Sequence, residues 1–232
     1  MLYDCIKNIQ ALLYPPRCLL CGQAGEHGLD LCRGCRIDLP WQGHRCERCG
    51  AAMPGQGRVC GPCLRKPPPV SRSLIPFAYR APLDGLILGM KFSDRLAAAA
   101  LLGQLLARTA RQEGVALPDA LLPVPMHPHR LRERGYNQAH ELARVIAREL
   151  QLPVFPELAR RVRHTTMQSR LDGRARRHNL RDAFDLGGQT LPSHVVIVDD
   201  VVTTGSTVNE LAACLLRGGA ERVDVWACAR AR

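Results

Sequence analysis

Eight of the eleven cysteines fall into two copies of one spacing. Cys18-x2-Cys21-x10-Cys32-x2-Cys35 is followed by Cys46-x2-Cys49-x10-Cys60-x2-Cys63, and each cysteine of the second set stands 28 residues after its counterpart. Two pairs of thiolates on tight knuckles can place four sulfurs at the corners of a tetrahedron, and the ten-residue spacer lets the pairs face each other around a zinc ion. Few apolar residues accompany these cysteines, so zinc has to supply much of the folding free energy, on the order of 10 kcal/mol per site. A disulfide framework is the competing reading, disfavoured because the N-terminus has no basic and apolar leader pattern, and the expected setting is the cytoplasm. Sequential ligation (18, 21, 32, 35 and 46, 49, 60, 63) and crossed ligation both satisfy the spacing. Sequential is the expectation, since each unit then closes a short loop. His27 and His44 lie nearby and read as exposed loop residues.

A second pattern governs the other end of the chain. Residues 195–198 are four apolar, mostly β-branched residues, the mark of a fully buried strand, and 206–217 carries helical periodicity. Asp199 and Asp200 stand where the strand is expected to end. The loop that follows offers Thr203, Thr204, Gly205, Ser206 and Thr207, together with the free N–H groups of the next helix's first turn. That end of a helix carries partial positive charge and suits a phosphate monoester, while the carboxylates suit hydroxyls a few ångströms away. A ribose 5-phosphate has both parts. The competing reading is a doubly wound sheet whose loop uses Ser and Thr only as helix caps.

Between the two patterns, residues 2–13 suit a short amphipathic helix stopped by Pro15-Pro16, and residues 1–66 form an N-terminal helix with a double zinc ribbon. Residues 67–72, opening with three prolines, suit a stiff linker. A domain over 73–232 follows, with strands expected at 73–79, 120–125, 158–162, 195–198 and 223–226. Helices are expected at 82–90, 95–111, 135–150 and 206–217. Strands alternating with helices argue for an α/β fold with a parallel sheet covered on both faces. The longest apolar run, 96–102, is too short to span a bilayer. Cys5, Cys214 and Cys228 sit in apolar patterns and read as core.

The formal charge of +11 counts every cysteine as neutral. A four-thiolate site holding one zinc ion carries −2, which brings the total to about +7. Residues 127–181 hold thirteen Arg against five acids, a net of +8. Such a stretch attracts anions, whether a sugar pyrophosphate or nucleic acid. Only three lysines occur in the chain, so a bias toward Arg explains the residue type but not the clustering.

The pattern of apolar strand, Asp-Asp, two apolar residues and Thr-Thr-Gly-Ser-Thr resembles the 5-phosphoribosyl-1-pyrophosphate (PRPP) signature of type I phosphoribosyltransferases. A wider set resembles the ComF family (ComF/ComFC, GntX): the cysteine repeat; Pro123-Val-Pro; Arg130, Arg132 and Arg134-Gly-Tyr-Asn-Gln; Gln168-Ser-x-Leu; Arg176-Arg-x-Asn-Leu; and Phe184. That resemblance implies a type I phosphoribosyltransferase fold preceded by a small double zinc ribbon with four cysteines per site, and a link to DNA uptake in natural transformation. By the same resemblance, Asp199 and Asp200 meet the ribose hydroxyls directly or through Mg²⁺, and residues 203–207 hold the 5-phosphate.

Transfer from PRPP passes through an oxocarbenium-like ribosyl centre as pyrophosphate leaves, so groups that meet that leaving charge are needed. Arg134 and Lys91 are the candidates, each competing with an ordinary surface charge. The polar segment 164–179 suits either a lid or a solvated loop. Asn137, Gln138 and Gln168 are candidates to orient a base or a phosphate, with capping and exposure as alternatives. His127 and His129 flank a proline beside the proposed pyrophosphate loop and suit a loop role better than a metal role. Hypoxanthine-type members carry an acid two positions before the loop glycine, and here that position is Thr203; no general base toward a purine can be named. Two functions are therefore open: a Mg²⁺-dependent transferase of unknown acceptor, or a single-stranded DNA binder of the uptake machinery that keeps the sugar-phosphate pocket. Few aromatics near the basic stretch weaken the second.

Overall fold

A computed structural model describes residues 15–55, 57–92, 96–162 and 183–231. The expected helix over 2–13, Cys5, Gln168 and the segment 164–179 lie outside these residues. In chain order the elements are α1 (Arg33–Asp38), α2 (Gly61–Arg65), β1 (Ser73–Leu74), β2 (Phe77–Ala78), α3 (Leu83–Phe92) and α4 (Leu96–Gln112). They continue with β3 (Ala120–Pro123), α5 (Pro128–Arg134), α6 (Gln138–Leu150), β4 (Arg160–Arg161), β5 (Phe184–Asp185), β6 (His194–Val202), α7 (Ser206–Arg217) and β7 (Arg222–Arg230).

The main sheet runs β1-β7-β6-β3, with β2 also pairing β7, and every pairing in it is parallel. Alternation along β6 shows why this sheet needs cover on both faces. Val196 and Val198 join Leu101, Leu105, Leu142 and Ile146 from α4 and α6 in one core. Val195 and Ile197 join Leu211 and Leu215 of α7 in the other. This is the phosphoribosyltransferase fold anticipated from the sequence, with helices on both faces of a parallel sheet.

The two ribbons repeat each other in three dimensions. Arg17 bridges Ala24 as Arg45 bridges Ala52, the Leu19 amide donates to Asp30 as that of Glu47 donates to Arg58, and α1 and α2 begin 28 residues apart. Their surroundings differ. Leu29, Leu31 and Leu39 of the first are buried in the core that α4 covers. Around the second, the Ser73 amide donates to Glu47 at 2.6 Å and the Ser73 hydroxyl to Arg48 at 2.7 Å, so that unit hangs on the sheet's edge. The segment expected as a stiff linker is built in at its end: Val70 is 1 % exposed and the Ser71 amide donates to Val223.

Several boundaries moved. The strand expected at 73–79 breaks at Ile75-Pro76, where a residue without an N–H cannot continue the ladder. The helix expected at 135–150 begins at Gln138, after a separate helix α5 that Gly135 closes at φ 78°. Around 158–162 the chain forms a short 3₁₀ turn, Pro156–Leu158, and then two-residue β4, paired antiparallel with β5. Strands β6 and β7 both run to nine residues, longer than their apolar runs, because the pairing continues to Val202 opposite Arg230. Asp199 and Asp200 therefore lie within the strand and not beyond its end.

Candidate functional site

The eight ribbon sulfurs form two groups, Cys18, Cys21, Cys32, Cys35 and Cys46, Cys49, Cys60, Cys63, each with all ligand atoms within 4.8 Å. Ligation is thus sequential. Cys21 and Cys32 sulfurs stand 3.6 Å apart and those of Cys49 and Cys60 3.7 Å. Four sulfurs about 2.3 Å from a central ion have edges of roughly 3.8 Å, so both groups fit zinc, and they are far too open for a disulfide. The chain prepares the thiolates. Burial pushes the Cys18 thiol up, but the backbone amides of Cys32, Cys21 and Leu20 outweigh it and bring it to about 6. Cys46 reaches about 7 by the same balance, its amides coming from Cys60, Cys49 and Arg48. Cys35 and Cys63 are pushed up, by burial first and then by their neighbouring sulfurs, so each cluster needs a cation to hold four thiolates together. These are two structural zinc sites.

At the far end of β6 the loop forms a shallow, open concavity lined by Asp199, Val201 to Thr203 and Gly205 to Val208. Gly205 holds φ at 78°, which turns the chain so that α7 starts directly at Ser206. The Thr204 and Ser206 hydroxyls are 2.8 Å apart, and the Ser206 amide donates to Thr204 Oγ1 at 3.3 Å. Thr203 and Thr204 are exposed. Asp199 lines the concavity, and Asp200 is not among its lining residues. Each carboxylate accepts from the next backbone amide, Asp199 from Asp200 at 2.9 Å and Asp200 from Val201 at 2.7 Å. The structure thus brings Asp199 and the loop together and leaves Asp200 beside them.

The cationic groups are distributed differently from the sequence expectation. Burial lowers the pKa of Arg161 on β4, the Arg130 guanidinium lowers it further and the Asp199 carboxylate opposes both. Arg161 also lies over the Phe184 ring, 5.9 Å from its centroid. Arg161 therefore stands in the field of both Asp199 and Arg130, and it was not singled out from the sequence for this position. Arg-rich clustering was the only signal. Arg134 donates to Gln138 Oε1 at 3.3 Å. Gln138 is 3 % exposed and its Nε2 finds no acceptor among the described residues. Asn137 caps α6 through the Ala139 amide and donates to Val124 at 3.0 Å. Lys91 lies near the end of α3, whose Met90 carbonyl accepts from the Tyr136 hydroxyl. His127 caps α5, accepting from the His129 amide, and His129 pairs with Glu133 at 3.3 Å, so both serve that helix.

A double zinc ribbon domain family matches residues 9–64 and a phosphoribosyl transferase domain family matches residues 137–231. Competence protein F of Haemophilus influenzae is 35 % identical over 226 residues, covering 93 % of this chain and 97 % of that protein. The chain belongs to the ComF family. DNA utilization protein YhgH of Escherichia coli K12 is 38 % identical over 217 residues, covering 92 % of this ComF-family chain and 89 % of its own. Competence protein ComFC of Bacillus subtilis is more distant, at 30 % over 100 residues and 43 % of this chain. For a ComF-family protein the ribbon and the transferase fold are one architecture, and both halves are matched here. Among the described residues no helix is long and apolar enough to cross a membrane.

Proposed function

We propose that this protein binds PRPP, or another phosphoribosyl compound, in the concavity at the end of β6, as a phosphoribosyltransferase. The observation that carries the reading is the concavity that Asp199 shares with Thr203 and residues 205–207. Thr203, Thr204, Ser206 and Thr207, with the first amides of α7, hold the 5-phosphate. Asp199 meets the ribose hydroxyls, with Asp200 contributing to the local negative field. Asp199 and Asp200 are the residues that would hold Mg²⁺, which would supply charge neutralisation for the pyrophosphate.

As the bond from the anomeric carbon to pyrophosphate breaks, positive charge grows on the sugar and negative charge on the leaving group. Asp199 stabilises the first. Arg161 and Arg130, with Arg134 and Lys91, meet the second. With Thr203 where a purine-salvage enzyme carries an acid, the loop supplies no base, and the acceptor must bring its own nucleophilicity or draw on another segment. Calorimetry with PRPP and Mg²⁺ tests this: wild type should bind, and Asp199→Asn should weaken binding by about tenfold or more. Equal binding by the two proteins would exclude the site.

A second reading is favoured by the relatives named for competence and DNA utilization, and by the basic edge that α5 and β4 form. There Arg132 and Arg160 are exposed and Arg130, Arg134 and Arg161 half-buried. Phe184 is buried and the Tyr136 hydroxyl is engaged, so single-stranded DNA would be held chiefly through its phosphates. Affinity for an oligonucleotide should then fall steeply between low and moderate salt; a flat profile would remove this reading.

A further inference from the structure

The loop 203–207 is held at its start by a residue that lies outside it. Arg230, the last residue of β7, stands opposite Val202, the last of β6 and the residue immediately before the loop. Its own backbone is fixed on the other side too, since it pairs with Ala78 of β2 and its carbonyl accepts from the Tyr79 amide at 2.9 Å. From that mount two donors converge on one acceptor. The Val202 carbonyl accepts from the Ala231 amide at 2.9 Å and from Arg230 Nη1 at 3.0 Å. A charged donor gives one of the stronger bonds a carbonyl can accept. It is made here although the residue is half-buried and its Nε lies buried with no acceptor among the described residues. A guanidinium left partly unsatisfied is a poor stabiliser, which calls for a reason other than folding alone.

Fixing that carbonyl fixes the next amide as well. Across a planar trans peptide the C=O and the following N–H point in opposite directions, so a Val202 carbonyl held toward β7 turns the Thr203 N–H away from β7. Thr203 lines the concavity, and its amide makes no hydrogen bond among the described residues. The result is an open donor of set direction. A cation on the carbonyl also polarises the peptide and strengthens the donor on its far side, as bonds in a hydrogen-bonded chain strengthen one another. Gly205 and α7 set the far end of the loop, so the near end depends on this clamp.

We infer that Arg230 is a positioning residue for this site: with the Ala231 amide it sets the Val202–Thr203 peptide so that the Thr203 N–H meets a phosphoryl oxygen of the ligand. The inference rests on the reading of the loop as the phosphate site. Arg230 is not among the residues lining the concavity, so it acts through the backbone and not by touching the ligand. Its loss should be felt at one amide and not across the whole loop.

The test uses the full-length, zinc-loaded protein, with inorganic phosphate as the probe and amide ¹H–¹⁵N signals followed residue by residue. In wild type, phosphate should move the Thr203 amide proton downfield. Arg230→Met should weaken phosphate binding by roughly tenfold and abolish that movement at Thr203, while Thr207 still responds at saturation. Before phosphate is added, ¹⁵N relaxation should already show the Thr203 amide less ordered in Arg230→Met than in wild type. Arg230→Lys, which keeps a charged donor, should largely restore both. Arg222→Met is the control for general loosening. It breaks the fork to Asp224 at 3.2 and 2.7 Å, at the opposite end of β7, and should leave the Thr203 amide as in wild type. Unchanged order at Thr203 in Arg230→Met would overturn the inference, as would equal disordering by Arg222→Met or phosphate bound to wild type with no movement at Thr203. If Arg230→Met does not fold, Ala231→Pro replaces it: loss of the other donor to the same carbonyl should weaken phosphate binding about threefold, and a Thr203 amide as ordered as in wild type refutes the positioning. A wild type that takes up neither phosphate nor PRPP sinks the phosphoribosyl reading, whereas the relaxation comparison, made without ligand, still decides what Arg230 holds.

Discussion

The two zinc ribbons share their ligand spacing, their knuckle hydrogen bonds and even their small bridges, yet they do different things for the molecule. The first buries Leu29, Leu31 and Leu39 in the core beneath α4 and accepts an exposed bond from Arg108 at the His27 carbonyl, 2.7 Å. The second contributes less apolar mass and instead makes polar bonds to the sheet edge, through Gln42, Arg48 and Ser73. The lesson is that a repeat in sequence fixes the local fold, while its neighbours decide whether a copy acts as packing or as a polar brace.

The largest way to break this contrast is to disable each ribbon alone. Cys32→Ser should lower the unfolding free energy more than Cys60→Ser, because three leucines leave the core with the first ribbon, roughly 5 kcal/mol of burial beyond the lost metal. Urea titrations of the two proteins, followed by Trp226 in the sheet, read the difference; equal losses would erase the distinction drawn here. Next comes the seam. Gln42→Ala strands three carbonyls and should cost about 1–3 kcal/mol, with Trp41 emission reporting a loosened contact against Phe77, whose ring lies 4.3 Å away. Arg108→Ala removes the corresponding tie of the first ribbon and should cost under about 1 kcal/mol, since that bond is open to water. Smallest of all is Arg58→Gln. It breaks the exposed pair with Glu47 at 2.8 Å and should leave the thermal midpoint unchanged within error, which differential scanning calorimetry can establish.

Much of this organisation was legible in the residues. The cysteine spacing gave both clusters, because tetrahedral chemistry tolerates few arrangements, and only ligation order needed coordinates. The apolar run 195–198 located the central strand, and its alternation separated the two cores. What stayed hidden has physical reasons. Apolar pattern stops at Asp199, whereas backbone pairing continues to Val202, because ladder bonds are blind to side-chain charge. The short helix α5 was masked by its arginines, although Pro128 at its start and Gly135 at its end were the available signals. Arg161 could not be chosen among twenty-nine arginines, since what distinguishes it is its place over the Phe184 ring and the influence of Asp199. Lys91 and Arg134 were nominated by charge and position alone, and Arg134 is engaged with Gln138.

Since neither ribbon borrows a sulfur from the other, Cys18 to Cys35 can capture their metal while Cys46 to Cys63 are still inside the ribosome. An interleaved pattern would have forced the nascent chain to wait with eight exposed thiols. As built, each ribbon can close as soon as its own last cysteine emerges, before the central strands of the sheet have been translated.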